Sequence, residues 1–304
     1  MAQNYGSLAV RVLLQPLEEN ARLLFSKLGA ELAELRQGKG RDAEEDQKAL
    51  AAAAAAEAEA VLAALGAALV GLLKAVSLVG LVAVCFGVHL VAALLAVLPG
   101  AQWSSPDAVA TLQWYCGYVL LLGLNGTLEA FVFATADRTA VAKLTAAHAG
   151  CSLLFASLCW PALRCLGPAG LVAANCATVA ARAAYASFVV RRFFEDRSPA
   201  EAADGGGRSS AFDWRAALPD LRVASAFAAA AALTAASEAA RSAGRFSGAA
   251  GRLAGGGGLL RGAAVHVGLG ASAFAAVAAV VVKCEAAALA DLRRLALRNK
   301  PKAE

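Results

Sequence analysis

Residues 118–134 read "YVLLLGLNGTLEAFVFA". The stretch is long and apolar enough to cross a bilayer as a helix, yet Asn125 and Glu129 sit near its middle. Four residues apart, they share one helix face, one turn from each other. A carboxylate at membrane depth costs about 2.5–3.5 kcal/mol on insertion scales. Packing alone needs less, because Asn or Gln would hydrogen-bond at lower cost. The alternative reading is an interhelical hydrogen bond of roughly 1 kcal/mol that fixes packing, with Gly123 and Gly126 admitting a neighbouring backbone. Asn125-Gly126-Thr127 matches the glycosylation pattern, but at membrane depth it escapes modification.

The rest of the chain agrees with a membrane setting. Of 304 residues, 59% are hydrophobic and 17% charged, against about 45–50% and about 25% in soluble domains. Mean hydropathy is +0.59. The net charge of +5 is no nucleic-acid footprint, since the basic residues flank apolar runs, where topology signals belong. The 7 cysteines form no C-x-x-C pair and mostly lie inside apolar runs, so they read as small buried residues rather than metal ligands. His89, His148 and His266 are scattered and read as packing or interface residues. No nucleophile elbow, phosphate-binding glycine loop or metal-ligand cluster is present. The expectation is a protein that is not an enzyme and uses no cofactor or metal. No cleavable signal peptide is expected either, because Arg11, Gln15, Pro16, Glu18 and Glu19 interrupt the first apolar run.

The fold class is all-α polytopic membrane protein, with about seven transmembrane helices at roughly 5–27, 73–98, 113–136, 142–163, 167–190, 218–240 and 260–283. They form one transmembrane domain over residues 1–304. Around them lie a polar linker and helix extension at 29–60, loops at 191–217 and 241–259, and a basic tail at 285–304. Lys74 is expected to snorkel at an interface. Basic residues gather after helices one, three and five: Arg36, Lys39, Arg41 and Lys48, then Arg138 and Lys143, then Arg191, Arg192 and Arg197. The loop 99–112 has none. The positive-inside rule therefore puts the linker, the 191–217 loop and the tail in the cytosol, although Arg241, Arg245, Arg252 and Arg261 dissent.

Two further helices carry polar residues at membrane depth. In helix one, Arg11, Gln15, Glu18 and Arg22 fall on one stripe. Glu18 precedes Arg22 by four, the favourable order for an ion pair, and Pro16 kinks the helix and frees a carbonyl. The stripe is either a set of mutually neutralised ions against a neighbour or a cavity lining. In helix five, Asn175 and Arg182 share a face, and Arg182 is a candidate partner for Glu129, Glu18 or an anionic ligand.

Three stretches together, "NYGSLAVRVLLQPLEENARLLFSK", "YCGYVLLLGLNGTLEAFVFA" and "GPAGLVAANCATVAARAAY", resemble the C-terminal half of the Rft-type oligosaccharidyl-lipid flippases. The specific parts are Gln15-Pro16-Leu17-Glu18-Glu19 and Asn125-Gly126 followed by Glu129 and Phe131. The resemblance implies the fold of the multidrug, lipid II and polysaccharide exporter superfamily, with these helices as its second lobe and terminal helices. It also implies that an N-terminal lobe is missing, whether as upstream sequence or as a separate partner chain. The implied role is moving dolichol-diphosphate-linked heptasaccharide from the cytosolic to the lumenal leaflet of the endoplasmic reticulum membrane, for N-glycosylation. The implied partners are that glycolipid and the bilayer, with no nucleic acid.

On that role, Arg11, Arg22 and Arg182 are candidates to attract the diphosphate, and Gln15, Asn125 and Asn175 to meet sugar hydroxyls. Glu18, Glu19 and Glu129 would repel a diphosphate unless paired, so they read as salt-bridge or gating residues. The alternatives are a non-transporting glycolipid scaffold, a generic small-molecule exporter, and an inactive fragment.

Overall fold

The computed structural model describes residues 14–37, 45–97, 105–197, 212–243, 257–286 and 290. Among them every regular element is helical: α1 (Gln15–Gln37), α2 (Glu45–Val82), a π-helical turn (Ala83–Gly87), α3 (Val88–Val97), α4 (Pro106–Thr135), α5 (Arg138–Leu166), α6 (Ala169–Arg197), α7 (Leu221–Ser242) and α8 (Gly257–Cys284). Because α2, the π turn and α3 are continuous, these make seven rods. Five described segments are long and apolar enough to cross a membrane: Ala52–Leu95, Pro106–Thr135, Arg138–Leu166, Leu221–Ser242 and Arg261–Cys284. The chain is a multi-pass membrane protein. The two more polar rods, α1 and α6, hold most of the candidate site residues.

Local chemistry sets the helix ends. The Ser105 side chain accepts from Ala108 N at 3.2 Å, and Pro106 opens α4, so α4 starts well before residue 113. A cap plus Pro at the first position supplies the start that hydropathy misses. Asp137 caps α5 through Ala140 N at 3.1 Å, which leaves only Ala136–Asp137 between α4 and α5. The turn from α5 to α6 uses Gly167 at φ 59°, a region that favours glycine. Asp220 caps α7 through Arg222 N at 2.7 Å.

Four of the expected segments differ in extent. Residues 29–37, expected as polar linker, continue α1, because the buried stripe Ala21, Phe25, Leu28, Leu32 persists at helical spacing. Residues 191–197, expected as loop, finish α6, with Phe193 and Phe194 buried. Residues 241–242 finish α7 and 257–259 begin α8. Glu285, expected in the tail, is buried at 4% exposure. The Arg11 end of helix one and residues 198–211 lie outside the described residues.

Successive rods reverse direction. Along α1, Phe25 meets Phe131 of α4, and farther on Gly29 lies against Ala134 and Thr135, so these two run parallel. Along α2, Gly80 lies against Leu120, and Gly87 in the π turn against Cys116, which makes α4 antiparallel to it. One end of the molecule therefore collects Arg36, Arg138, Arg197 and the start of α7. Here α6 lies between α4 and α5, with α1 and α2 on the far side of α4, while α7 and α8 pack together against the π turn and α3. Phe25, Phe131, Phe193, Phe194, Phe212 and Trp214 form a continuous aromatic cluster near that end, with neighbouring ring centroids 4.5–5.5 Å apart. Outside it, Arg36 Nη2 donates to the Arg197 carbonyl at 2.8 Å, placing a cation at the negative end of α6.

Candidate functional site

Glu129 and Arg182 form the centre of the site. Arg182 Nε donates to Glu129 Oε1 at 3.0 Å and Nη2 to Oε2 at 2.9 Å. This two-point geometry matches the planar guanidinium fork to the carboxylate and fixes both side chains. Glu129 is buried at 8% exposure, whereas a third of the Arg182 side chain remains exposed. His148 of α5 brings Nε2 to 2.9 Å from Glu129 Oε1. The distance suits an ion pair, but the ring is not aligned for a hydrogen bond. One carboxylate thus joins α4, α5 and α6.

Glu18 reaches the same region from α1. Its carboxylate lies directly on Gly126, where a Cβ would collide with it. The bare Gly126 leaves the hollow that the Glu18 carboxylate fills, on the α4 face next to Glu129. Glu18 is within electrostatic reach of both Glu129 and Arg22. Glu18 and Arg22 do not come within ion-pair distance, however; the i, i+4 spacing permits the pair, but Glu18 turns inward onto Gly126 while Arg22 is exposed. Tyr118 of α4 lies within electrostatic reach of Arg182 and Cys176. Asn125, one turn before Glu129, is buried at 3% exposure, and its Oδ1 has no hydrogen-bond partner among the described residues.

Other candidates stand apart. Gln15 Nε2 donates to Glu19 Oε1 at 3.2 Å on an exposed surface. Pro16 is exposed, and Asn20 Nδ2 donates to its carbonyl at 2.8 Å. The carbonyl that the Pro16 ring displaces belongs to residue 12, which, with Arg11, lies outside the described residues. Asn175 is half-buried on α6, its own carbonyl accepting from Thr178 Oγ1 at 3.0 Å.

Sequence reading missed three polar contacts. His148 looked like a lone histidine in an apolar helix, and nothing local ties it to a carboxylate nineteen positions earlier. Lys74 does not snorkel; its Nζ lies 2.9 Å from Glu285 Oε2, and Glu285 Oε1 accepts from Asp220 N at 3.0 Å. The third is a cluster of buried Ser237 and His266 with partly exposed Glu238 and Arg241. The i, i+3 spacing of Glu238 and Arg241 is its only local signal. No group of three or more His, Cys, Asp or Glu among the described residues is placed to hold a metal.

A family model described as Rft protein matches residues 1–294. Man(5)GlcNAc(2)-PP-dolichol translocation protein RFT1 of Xenopus tropicalis is 29% identical over 195 residues, covering 64% of this chain and 33% of that protein. Its counterpart in Mus musculus is 29% identical over 197 residues, with 64% and 33% covered. That of Saccharomyces cerevisiae is 27% identical over 199 residues, with 64% and 30% covered. In these matches the chain spans about a third of the relatives' length. No solved structure matches it. The family model covers nearly the whole sequence, and the chain belongs to the Rft protein family.

Proposed function

We propose that the chain acts in translocating a lipid-linked oligosaccharide, moving dolichol-diphosphate-linked heptasaccharide from the cytosolic to the lumenal leaflet of the endoplasmic reticulum membrane. It is not an enzyme on this reading. The names of its relatives support the substrate. Within this chain the observation that carries the reading is the buried Glu129–Arg182 pair with His148 beside it. A diphosphate competes with the Glu129 carboxylate for the Arg182 fork, because both present paired oxygens to it. Arrival of the glycolipid then releases Glu129 and loosens the joint of α4, α5 and α6. The exposed third of the Arg182 side chain gives the headgroup its approach. On this reading Asn125, whose Oδ1 has no partner among the described residues, meets sugar hydroxyls together with Asn175 and Gln15, and Arg22 attracts the diphosphate. Glu18, Glu19 and Glu129 act in pairing or gating. The basic end that collects Arg36, Arg138 and Arg197 faces the cytosol.

The same pair favours a second reading. Two Arg182 donors are already committed to Glu129, which suits a scaffold that holds the glycolipid or braces the bundle without moving it. Vesicles carrying the purified chain, loaded with a fluorescent dolichol-diphosphate glycan, separate the two. Crossing above the protein-free background that is lost in R182A supports translocation. Binding without crossing supports the scaffold, and absence of both removes the glycolipid reading.

A further inference from the structure

A second polar centre lies between α3, α7 and α8, away from Glu129. His266 of α8 is completely buried, at 0% exposure, and every ring nitrogen has a partner. Nε2 lies 2.9 Å from the His89 backbone carbonyl and 3.3 Å from Glu238 Oε2; Nδ1 lies 2.8 Å from Ser237 Oγ. Glu238 is in turn held by Arg241, whose Nε and Nη2 donate at 2.7 and 2.6 Å.

These partners fix the tautomer. A backbone carbonyl only accepts, and so does the ionised Glu238, so Nε2 carries a hydrogen. In the neutral ring Nδ1 is then the acceptor, and it takes the Ser237 hydroxyl hydrogen. A proton added at Nδ1 needs only that hydroxyl to turn. Both ring partners are kept in the exchange, and the imidazolium faces the Glu238 carboxylate.

We propose that His266 is a proton-binding site, and that its protonation clamps α8 to α7 and α3 through Glu238 and the His89 carbonyl. The charged and titratable groups facing it are Glu238 and Arg241 from α7 and the His89 ring from α3. Glu238 attracts the added charge, while Arg241 and a protonated His89 oppose it. The partly exposed Glu238 and Arg241 side chains, at 24% and 14%, lie between the Nε2 side of the buried ring and water. The inference goes beyond the glycolipid reading and stands without it.

The chain has 3 histidines, so carbon-13 histidine spectra of the full chain in nanodiscs resolve them, with H266Q assigning the signal. The expected result is a His266 resonance that passes from the neutral-ring to the imidazolium position as the pH is lowered. In E238Q its midpoint falls by half a pH unit or more. Amide exchange in α8, corrected for intrinsic rates, slows severalfold as pH drops through that midpoint, and in H266Q it does not. A His266 signal that stays constant across the range, or a midpoint unmoved in E238Q, overturns the proposal. If H266Q fails to fold, S237A provides the second arm. It removes the hydroxyl acceptor for the added proton, so its midpoint falls too, and an unchanged midpoint counts against the site.

Discussion

The Glu129–Arg182 pair shows how far one residue's environment can be predicted. Removing one partner leaves the other poorly compensated, which in a fully buried pair costs about 3–5 kcal/mol. Arg182 is a third exposed, so the expected loss for E129A or R182A is smaller, about 1–3 kcal/mol. The double variant should lose less than the sum of the two, by about 1 kcal/mol. Unfolding midpoints in detergent measure this, and strict additivity would show that the two side chains do not act as a pair. The depth of Glu129 and the face it shares with Asn125 follow from helical periodicity, and Arg182 follows as one of its candidate partners from its own depth in the helix that carries it. His148 does not, because a histidine's partner depends on which helix folds beside it. The expected Glu18–Arg22 pair failed for a related reason. Local spacing allowed it, but the hollow at Gly126 drew Glu18 inward.

At the scale of elements, the glycines separate tight contacts from forgiving ones. A Cβ at Gly126 would strike the Glu18 carboxylate, the movable end of a flexible side chain. A Cβ at Gly170 would strike the Ala162 carbonyl, and one at Gly80 would come 2.8 Å from the Leu120 Cα. Backbone yields less readily than side chain, so G170A and G80A should each cost about 1–3 kcal/mol while G126A costs under about 1. Instead, G126A should displace Glu18, seen as faster carbodiimide labelling of that carboxyl. If all three variants lose equal stability, backbone contact is not what distinguishes them. Capping tells a similar story about legibility. Ser105-Pro106 marks the start of α4 in the sequence, but hydropathy alone passes over it because the first turns of the helix are only moderately apolar. The π turn has no such mark. Nothing in Ala83–Gly87 announces that one extra residue is wound into the rod.

At the scale of the whole molecule, α7 and α8 are fastened to the long rod at both ends. Near the basic end, Glu285 bridges Lys74 and the amide of Asp220. At the opposite end His266 reaches the His89 carbonyl. E285Q keeps an acceptor for the Asp220 amide, whereas E285A removes it. E285A should therefore speed amide exchange in the first turn of α7 by about tenfold, corresponding to roughly 1.4 kcal/mol of lost protection, with E285Q much less affected. Equal exchange in both variants would assign the fastening to something else. Sequence order could not foretell this clasp, whose partners are 211 positions apart, although the alternating rod directions it depends on follow from the basic loops.

The π turn also shifts the phase of the rod. One added residue advances everything beyond it by about 100° around the axis. Leu65, Leu69 and Leu72 face the α1–α4 bundle; Leu78, more than a turn before the π segment, already faces α7 and α8, and Cys85, Phe86 and Leu90 keep that contact through and beyond it. A single helix can thus serve two neighbourhoods set at an angle to each other. Winding that residue in or out would rotate His89 away from α8 and pull the Val88 carbonyl from Gln113 of α4, so the rod can turn like a key only when α4 lets go of it.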